Sequence, residues 1–195
     1  MIRASKSDRK LVVELLTQSF KDNQSVNYII QQDRHRFQRI RALMHYSIEV
    51  CLLFGDVWLS QDKKACALIL YPQLKKTTLR SLWLDVTLIF QAIGVGSIAK
   101  AIKREKRIKE KQTKNPMAYL WFIGVDPLYQ GSGIGSRLLK EVIAHAEAKG
   151  LPIYLETSTE RNLPWYQDFG FRIYDKLHLD YVLYFLKHEE TKNIV

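Results

Sequence analysis

A chain of 195 residues with 47% hydrophobic and 26% charged side chains can build one folded domain with a real core, which excludes a disordered or fibrous class. Its two cysteines, Cys51 and Cys66, lie in apolar settings without Cys/His spacing, which speaks against a disulfide framework or a metal site. The net charge is +10, but KAIKREKRIKEKQTK, residues 100–114, holds eight Lys/Arg against two Glu; no aromatic side chain interleaves to stack on bases, so this run reads as a solvated basic helix face and no nucleic-acid partner is expected.

The N-terminus, MIRASKSDRKLVVELL, lacks an uninterrupted apolar stretch with a small-residue cleavage site, so no signal peptide and a cytoplasmic location are expected. Residues 7–20 place Leu11, Val12, Leu15 and Leu16 on one helical face, with Ser5 or Ser7 as a cap. A second stripe, Phe37, Ile40, Met44, Ile48 and Cys51, predicts a helix over 33–54, with Gly55 at the position of a C-terminal cap. DVWLS, the polar turn QDKK and ACALILYP predict a hairpin over 56–71, closed by Pro72.

LRSLWLDVTLIFQAIGVGSIAK, residues 79–100, is nearly long enough to span a bilayer, yet Asp85, Gln91 and two glycines interrupt it. A helix packed on the domain, or partly covering a ligand pocket, is the reading adopted. No membrane partner is expected, with surface attachment through this helix and its basic continuation as the alternative. The helical, partly basic segment at about 77–113 ends at Asn115-Pro116. A strand over 118–125, a glycine loop and a helix over about 134–149 follow; Leu138, Leu139, Val142, Ile143 and Ala146 form that helix's apolar face and Gly150 ends it. PIYLET, 152–157, reads as a strand, RNLPWYQDFG, 161–170, as a short helix, and residues 171–187 as a closing hairpin. The order is β, two helices, a hairpin, a helical segment, then β-α-β-α-β-β: a mixed α/β chain with one sheet.

The loop reads DPLYQGSGIGSR, residues 126–137, with glycines at 131, 133 and 135 just before a helix. Helix N-termini present unpaired N–H groups and a favourable dipole, so an anion is the natural ligand. A triphosphate-binding loop would end Gly-Lys-Ser/Thr, and this one ends Gly135-Ser136-Arg137. A dinucleotide fingerprint would have its third glycine where Ser136 stands and would leave the strand directly, whereas Asp126 to Gln130 intervene.

The spacing Gln130-x-x-Gly133-x-Gly135 resembles the acyl-CoA loop of the GNAT N-acetyltransferase superfamily, and Asn162, Tyr166, Gly170 and Phe171 in RNLPWYQDFGF resemble that family's later motif. The order of elements agrees from end to end, and YLWFIGVDP with YLETS looks like a subgroup that includes puromycin N-acetyltransferase-like enzymes. The resemblance implies a single domain over 1–195 with a helical basic insertion at about 77–113. It also implies one mixed, mostly antiparallel sheet with helices on both faces and a splayed fourth and fifth strand.

By the same resemblance the cofactor is acetyl-CoA, held by the main chain of Ile123, Gly124 and Val125, by the loop Gln130, Gly131, Ser132, Gly133, Ile134, Gly135 and Ser136, and by Asn162. The residues themselves are consistent with this. A pyrophosphate needs convergent N–H donors without Cβ atoms in the way, and Gly124 in mid-strand marks a bulge or a close approach. Tyr166 is then the general acid at the departing sulfur, and packing is its alternative role; Asn162 could equally cap the helix. The family's carboxylate on the fourth strand is missing from AYLWFIGV, which makes Glu156 the first candidate base, ahead of Tyr119 and His178, with a structural role for Glu156 equally open. The function implied is acetyl transfer to a primary amine, of a small molecule rather than a protein, with a non-catalytic acyl-CoA-binding module as the alternative. No motif speaks to oligomeric state.

Overall fold

The structure, a computed structural model, describes residues 1–189; the last six residues of the expected 1–195 domain lie outside them. Seven strands form one sheet in the order β1-β2-β3-β4-β5-β7-β6: β1 Ile2–Arg3, β2 Gly55–Leu59, β3 Ala65–Leu70, β4 Ala118–Val125, β5 Ile153–Thr157, β6 Phe171–His178 and β7 Val182–His188. Every pairing is antiparallel except β4 with β5.

Helices cover both faces. On one lie α1, Arg9–Phe20, and α3, Arg36–Phe54, joined by the short α2, Gln24–Ile29; on the other lie α6, Ile134–Ala148, and α7, Leu163–Asp168. In the chain between α3 and α6 run α4, Leu79–Leu88, packed on α3, and α5, Ile98–Lys111, packed on the β6–β7 hairpin. The central strand β3 explains the arrangement. Its continuous apolar run sends Cys66, Leu68 and Leu70 into the α1/α3 core and Ala65, Ala67 and Ile69 into the α6/α7 core, as a strand buried on both faces requires.

Most predicted elements stand within a few residues of their expected bounds, and three local readings are corrected. Leu11 and Phe37, assigned to apolar faces, are exposed, and Val13 and Leu43 take the buried positions. Gly55 has extended backbone, φ −168°, and does not form a left-handed cap; it is glycine because a Cβ there would stand 2.0 Å from the carbonyl oxygen of Ile69. A third early helix, α2, was not foreseen, because six residues with only Val26 buried carry no periodic stripe; Asn23 starts it by accepting from the Val26 N–H at 3.1 Å.

The segment 79–111 is not one rod. α4 runs into a π-turn over Ile89–Ile93 and stops at Gly94, φ +78°, after which α5 leaves at about a right angle (100°). Among the described residues no single helix is long and apolar enough to cross a membrane. Leu84 and the ion pair of Arg80 with buried Glu49, 2.6 Å, dock α4 on α3. Ile108 anchors α5 on Leu177, Tyr181, Leu183 and Phe185 of the β6–β7 hairpin.

Candidate active site

The site begins where two strands part. β4 and β5 pair only at Ala118↔Ile153 and Tyr119↔Tyr154, then diverge. On its other side β4 pairs Leu70↔Tyr119 and Ile69↔Leu120 but Leu68↔Phe122, so Trp121 is an extra, bulged residue. Both Trp121 and Phe122 consequently face the α1/α3 core.

The bulge changes which main-chain groups face the gap. The Ala118 N–H bonds the Pro152 carbonyl at 3.0 Å, and that phase, if kept, would turn residues 120, 122 and 124 toward β5. Past the bulge the Asp126 N–H instead bonds the Lys64 carbonyl beyond β3, at 2.9 Å, so Gly124 and Phe122 point to β3 while Ile123 and Val125 present N–H and C=O to the gap. Of the three strand residues expected to hold a ligand by main-chain bonds, all line the cleft, and Gly124 turns its own N–H and C=O toward β3. Its role is close packing: a Cβ there would meet Leu16 and Ser19 of α1 at 3.1 Å.

The gap opens into a cleft of about 1140 Å³ that reaches the glycine loop. Asp126 starts the loop by accepting from the Leu128 N–H at 3.0 Å. Gly131 and Gly133 both have φ +80°, and an added Cβ at either would meet only open space, so glycine is needed there for backbone conformation. Gly135 differs: a Cβ would come within 3.0 Å of Val125 Cγ2, so it lets α6 approach β4. The N–H groups of Ile134, Gly135 and Ser136 lie in the first turn of a fifteen-residue helix with no acidic side chain there, an arrangement that suits an anion. Ser136 Oγ accepts from Trp165 Nε1 at 2.9 Å, tying α7 to this turn, and Gln130 Nε2 donates to the Val125 carbonyl at 3.4 Å. The Ser132 hydroxyl turns back to the Tyr129 carbonyl at 2.6 Å.

Tyr166 and Asn162 come in from the opposite wall. Tyr166 packs against Trp165 and Phe171 with ring centroids 4.8 and 5.7 Å away. Burial alone pushes its phenol well above the ordinary tyrosine range, so it stays protonated; no protein partner claims the hydroxyl among the described residues. Asn162 precedes α7 but makes no capping bond with its side chain, which leaves the amide facing the cleft.

Glu156 is not brought to this cleft. It lies on the α5 side of β5, where Tyr119 Oη donates to Oε2 at 2.5 Å and Gln112 Nε2 donates to Oε1 at 2.7 Å. Burial raises its pKa, and the two hydrogen bonds temper the shift; Tyr119 is raised by burial and by the carboxylate beside it. Two of the three candidate bases thus occupy one buried hydrogen bond, while His178 sits exposed at the end of β6. A carboxyl raised this way binds its proton more tightly in the native than in the unfolded state. Stability should therefore fall as pH rises from the ordinary carboxylate range through the raised value. Glu156→Gln should abolish that fall in melting curves taken across pH; an unchanged slope would mean that the carboxyl is ionised throughout.

Several cleft residues carried no recognisable sequence signal. Ser19 Oγ lies 2.8 Å from the Val125 carbonyl. Asn23 bridges to Thr159 and Ser158 at 3.3 and 3.4 Å, and Tyr184 donates to Glu160 at 3.1 Å. They belong to α1 and the turn after it, the loop after β5 and strand β7, brought together only by the fold.

Comparison with known proteins agrees with this geometry. Residues 75–171 match the model of the family described as Acetyltransferase (GNAT) family. Over 52 residues the chain is 48% identical to the N-alpha-acetyltransferase RimI of Mycobacterium tuberculosis, covering 26% of this chain and 32% of that protein. Over 61 residues it is 38% identical to an uncharacterized N-acetyltransferase of Schizosaccharomyces pombe, covering 31% and 25%. The chain thus spans about a quarter to a third of the length of these relatives. A solved structure of histone acetyltransferase HPA2 and related acetyltransferase from Corynebacterium glutamicum superposes with TM-score 0.67 at 20% identity, covering 99% of this chain and 97% of that one. Arylalkylamine N-acetyltransferase 2 from Aedes aegypti gives 0.65 at 16%, covering 95% and 96%. At these identities the two structures show the fold.

Proposed function

The chain is a member of the acetyltransferase (GNAT) family, and on that premise we propose that it moves the acetyl group of acetyl-CoA to a primary amine of a small molecule. The observation that carries this reading is the convergence, in one cleft, of a free helix N-terminus, an open strand edge and an unpaired tyrosine hydroxyl. Coenzyme A fits that donor set: the N–H groups of Ile134, Gly135 and Ser136 would take the pyrophosphate, and the edge of Ile123 and Val125 would take the amide-bearing arm. Acetyl-CoA supplies the activated thioester. The Ile123 N–H, turned into the gap by the bulge, would donate to a developing oxyanion. Tyr166 Oη holds a proton for the departing sulfur. Asn162 would hold the arm, which its position in the cleft lining supports.

With Glu156 withdrawn from the cleft, deprotonation of the amine falls to solvent or to a relay through the Tyr119–Glu156 pair. The roof over the acceptor side supports a small acceptor over an extended polypeptide. There Arg104 of α5 donates to Ser25 of α2 at 2.6 Å and to Tyr181 at 3.0 Å, and Gln112 closes over Glu156. The single sheet supports one domain, with 77–113 laid over it as an insertion. Buried, unpaired Cys51 and Cys66 support a reducing, cytoplasmic setting.

The second reading, an acyl-CoA-binding module without turnover, draws on the same withdrawal of Glu156. A thiol-release screen across aminoglycosides, polyamines, amino acids, nucleoside antibiotics and lysine peptides separates the two. Turnover concentrated among small amines supports the proposal. Turnover confined to peptides refutes the small-molecule acceptor, and coenzyme A binding without thiol release in any arm favours the module.

A further inference from the structure

The helix α4 shows its apolar face to the outside. Leu79, Leu82, Trp83, Val86 and Phe90 fall within about 100° of one another around the helix axis at 3.6 residues per turn, opposite the buried Leu84. Leu79 is 89% exposed, Trp83 70% and Phe90 66%. The sequence suggested that this stretch packs on the domain; Leu84, Leu88, Ala92 and Ile93 do so, with Arg80 paired to Glu49 and Asp85 accepting from Tyr46 at 2.8 Å, while the five apolar residues of the stripe do not. Isolated exposed apolar residues need no explanation, but five large ones in a line do.

The charge excess sits beside them. Residues 74–114 hold eleven Lys/Arg against three Asp/Glu, eight of the ten net positive charges of the whole chain. Part of that charge is used within the fold, as in Lys111 with Asp175 at 2.7 Å and Arg104 with Ser25. Lys75 and Lys76, before α4, and Lys103 and Lys106, on α5, are exposed and form no ion pair among the described residues.

The geometry points to this face as a docking site for an anionic lipid surface, with the α4 ridge immersed at the headgroup boundary and the four lysines against lipid phosphates. Three features select that occupant. The ridge stands exposed from Leu79 to Phe90, so it suits a deformable apolar medium more than a matched pocket. It is flanked by unpaired basic charge, which anionic headgroups complement at roughly fivefold in affinity per lysine. A second copy of the chain would bring the same positive segment against itself. The right-angle bend at Gly94 lets α4 and α5 meet one plane without either crossing it.

The test is co-sedimentation of the full chain with phosphatidylcholine vesicles, with and without phosphatidylserine, at low and high salt. Wild type should bind only the phosphatidylserine vesicles and be released by salt. Trp83→Ser with Phe90→Ser, and separately Lys103→Gln with Lys106→Gln, should each weaken binding at least tenfold, while melting temperature and coenzyme A affinity stay unchanged. Wild type that ignores phosphatidylserine vesicles overturns the proposal, as does either double variant that sediments like wild type. Concentration-dependent dimerisation abolished by the Trp83/Phe90 pair would also overturn it, by assigning the ridge to a second copy.

Discussion

Tyr166→Phe loses roughly 10²- to 10⁴-fold in turnover, about 3–5 kcal/mol of barrier, while coenzyme A affinity and melting temperature stay where they were. The structure makes all three parts of this outcome follow from one atom. The ring carries the packing, against Trp165 and Phe171, and phenylalanine keeps it. The hydroxyl has no protein acceptor among the described residues, so its removal breaks no internal hydrogen bond and none of the usual cost of about 1 kcal/mol applies. What is lost is a proton that burial keeps on the oxygen across the working pH range. Measuring turnover, affinity and melting temperature on the one variant decides it. Full turnover would remove Tyr166 from the chemistry, and a lowered melting temperature would reveal a structural hydrogen bond of its hydroxyl.

Gly133→Val abolishes measurable coenzyme A binding with only a modest loss of stability. The residue sits at φ +80°, at the N-cap of α6, with open space around a would-be Cβ. A β-branched side chain there therefore meets no clash, but it pays the left-handed backbone penalty of about 1–2 kcal/mol. The loop relieves that strain by turning its peptide, which withdraws the N–H groups an anion needs. Gly135→Val fails for a different reason. Its side chain drives against Val125, so α6 is pushed off β4 and the fold suffers along with binding. Titration calorimetry with melting curves on both variants separates conformation from packing. Retained micromolar affinity in Gly133→Val would refute the loop assignment.

Much of this molecule was legible in the order of its residues, because the signals are local. Apolar periodicity marked α1, α3 and α6. Alternate glycines after an apolar strand marked an anion loop, since only glycine takes φ +80° without strain, and the spacing of Gln130, Gly133 and Gly135 with Asn162 and Tyr166 led to the family. Other features depend on partners far away in sequence. The extra residue at Trp121 is invisible in AYLWFIGV, yet it decides that the main-chain groups of Ile123 and Val125, not those of Gly124, point into the gap. That phase is set by hydrogen bonds to β3, fifty residues or more earlier in the chain. Glu156 read as a free carboxylate at a strand end, and only the approach of Gln112 and Tyr119 makes it a buried, paired one. The stripe on α4 has the same periodicity whether it faces a core or the outside. Sequence spacing determines that the face is apolar; which way it points is decided by the contacts that hold the helix down, Leu84 and Leu88, the Arg80–Glu49 pair and the Tyr46–Asp85 hydrogen bond.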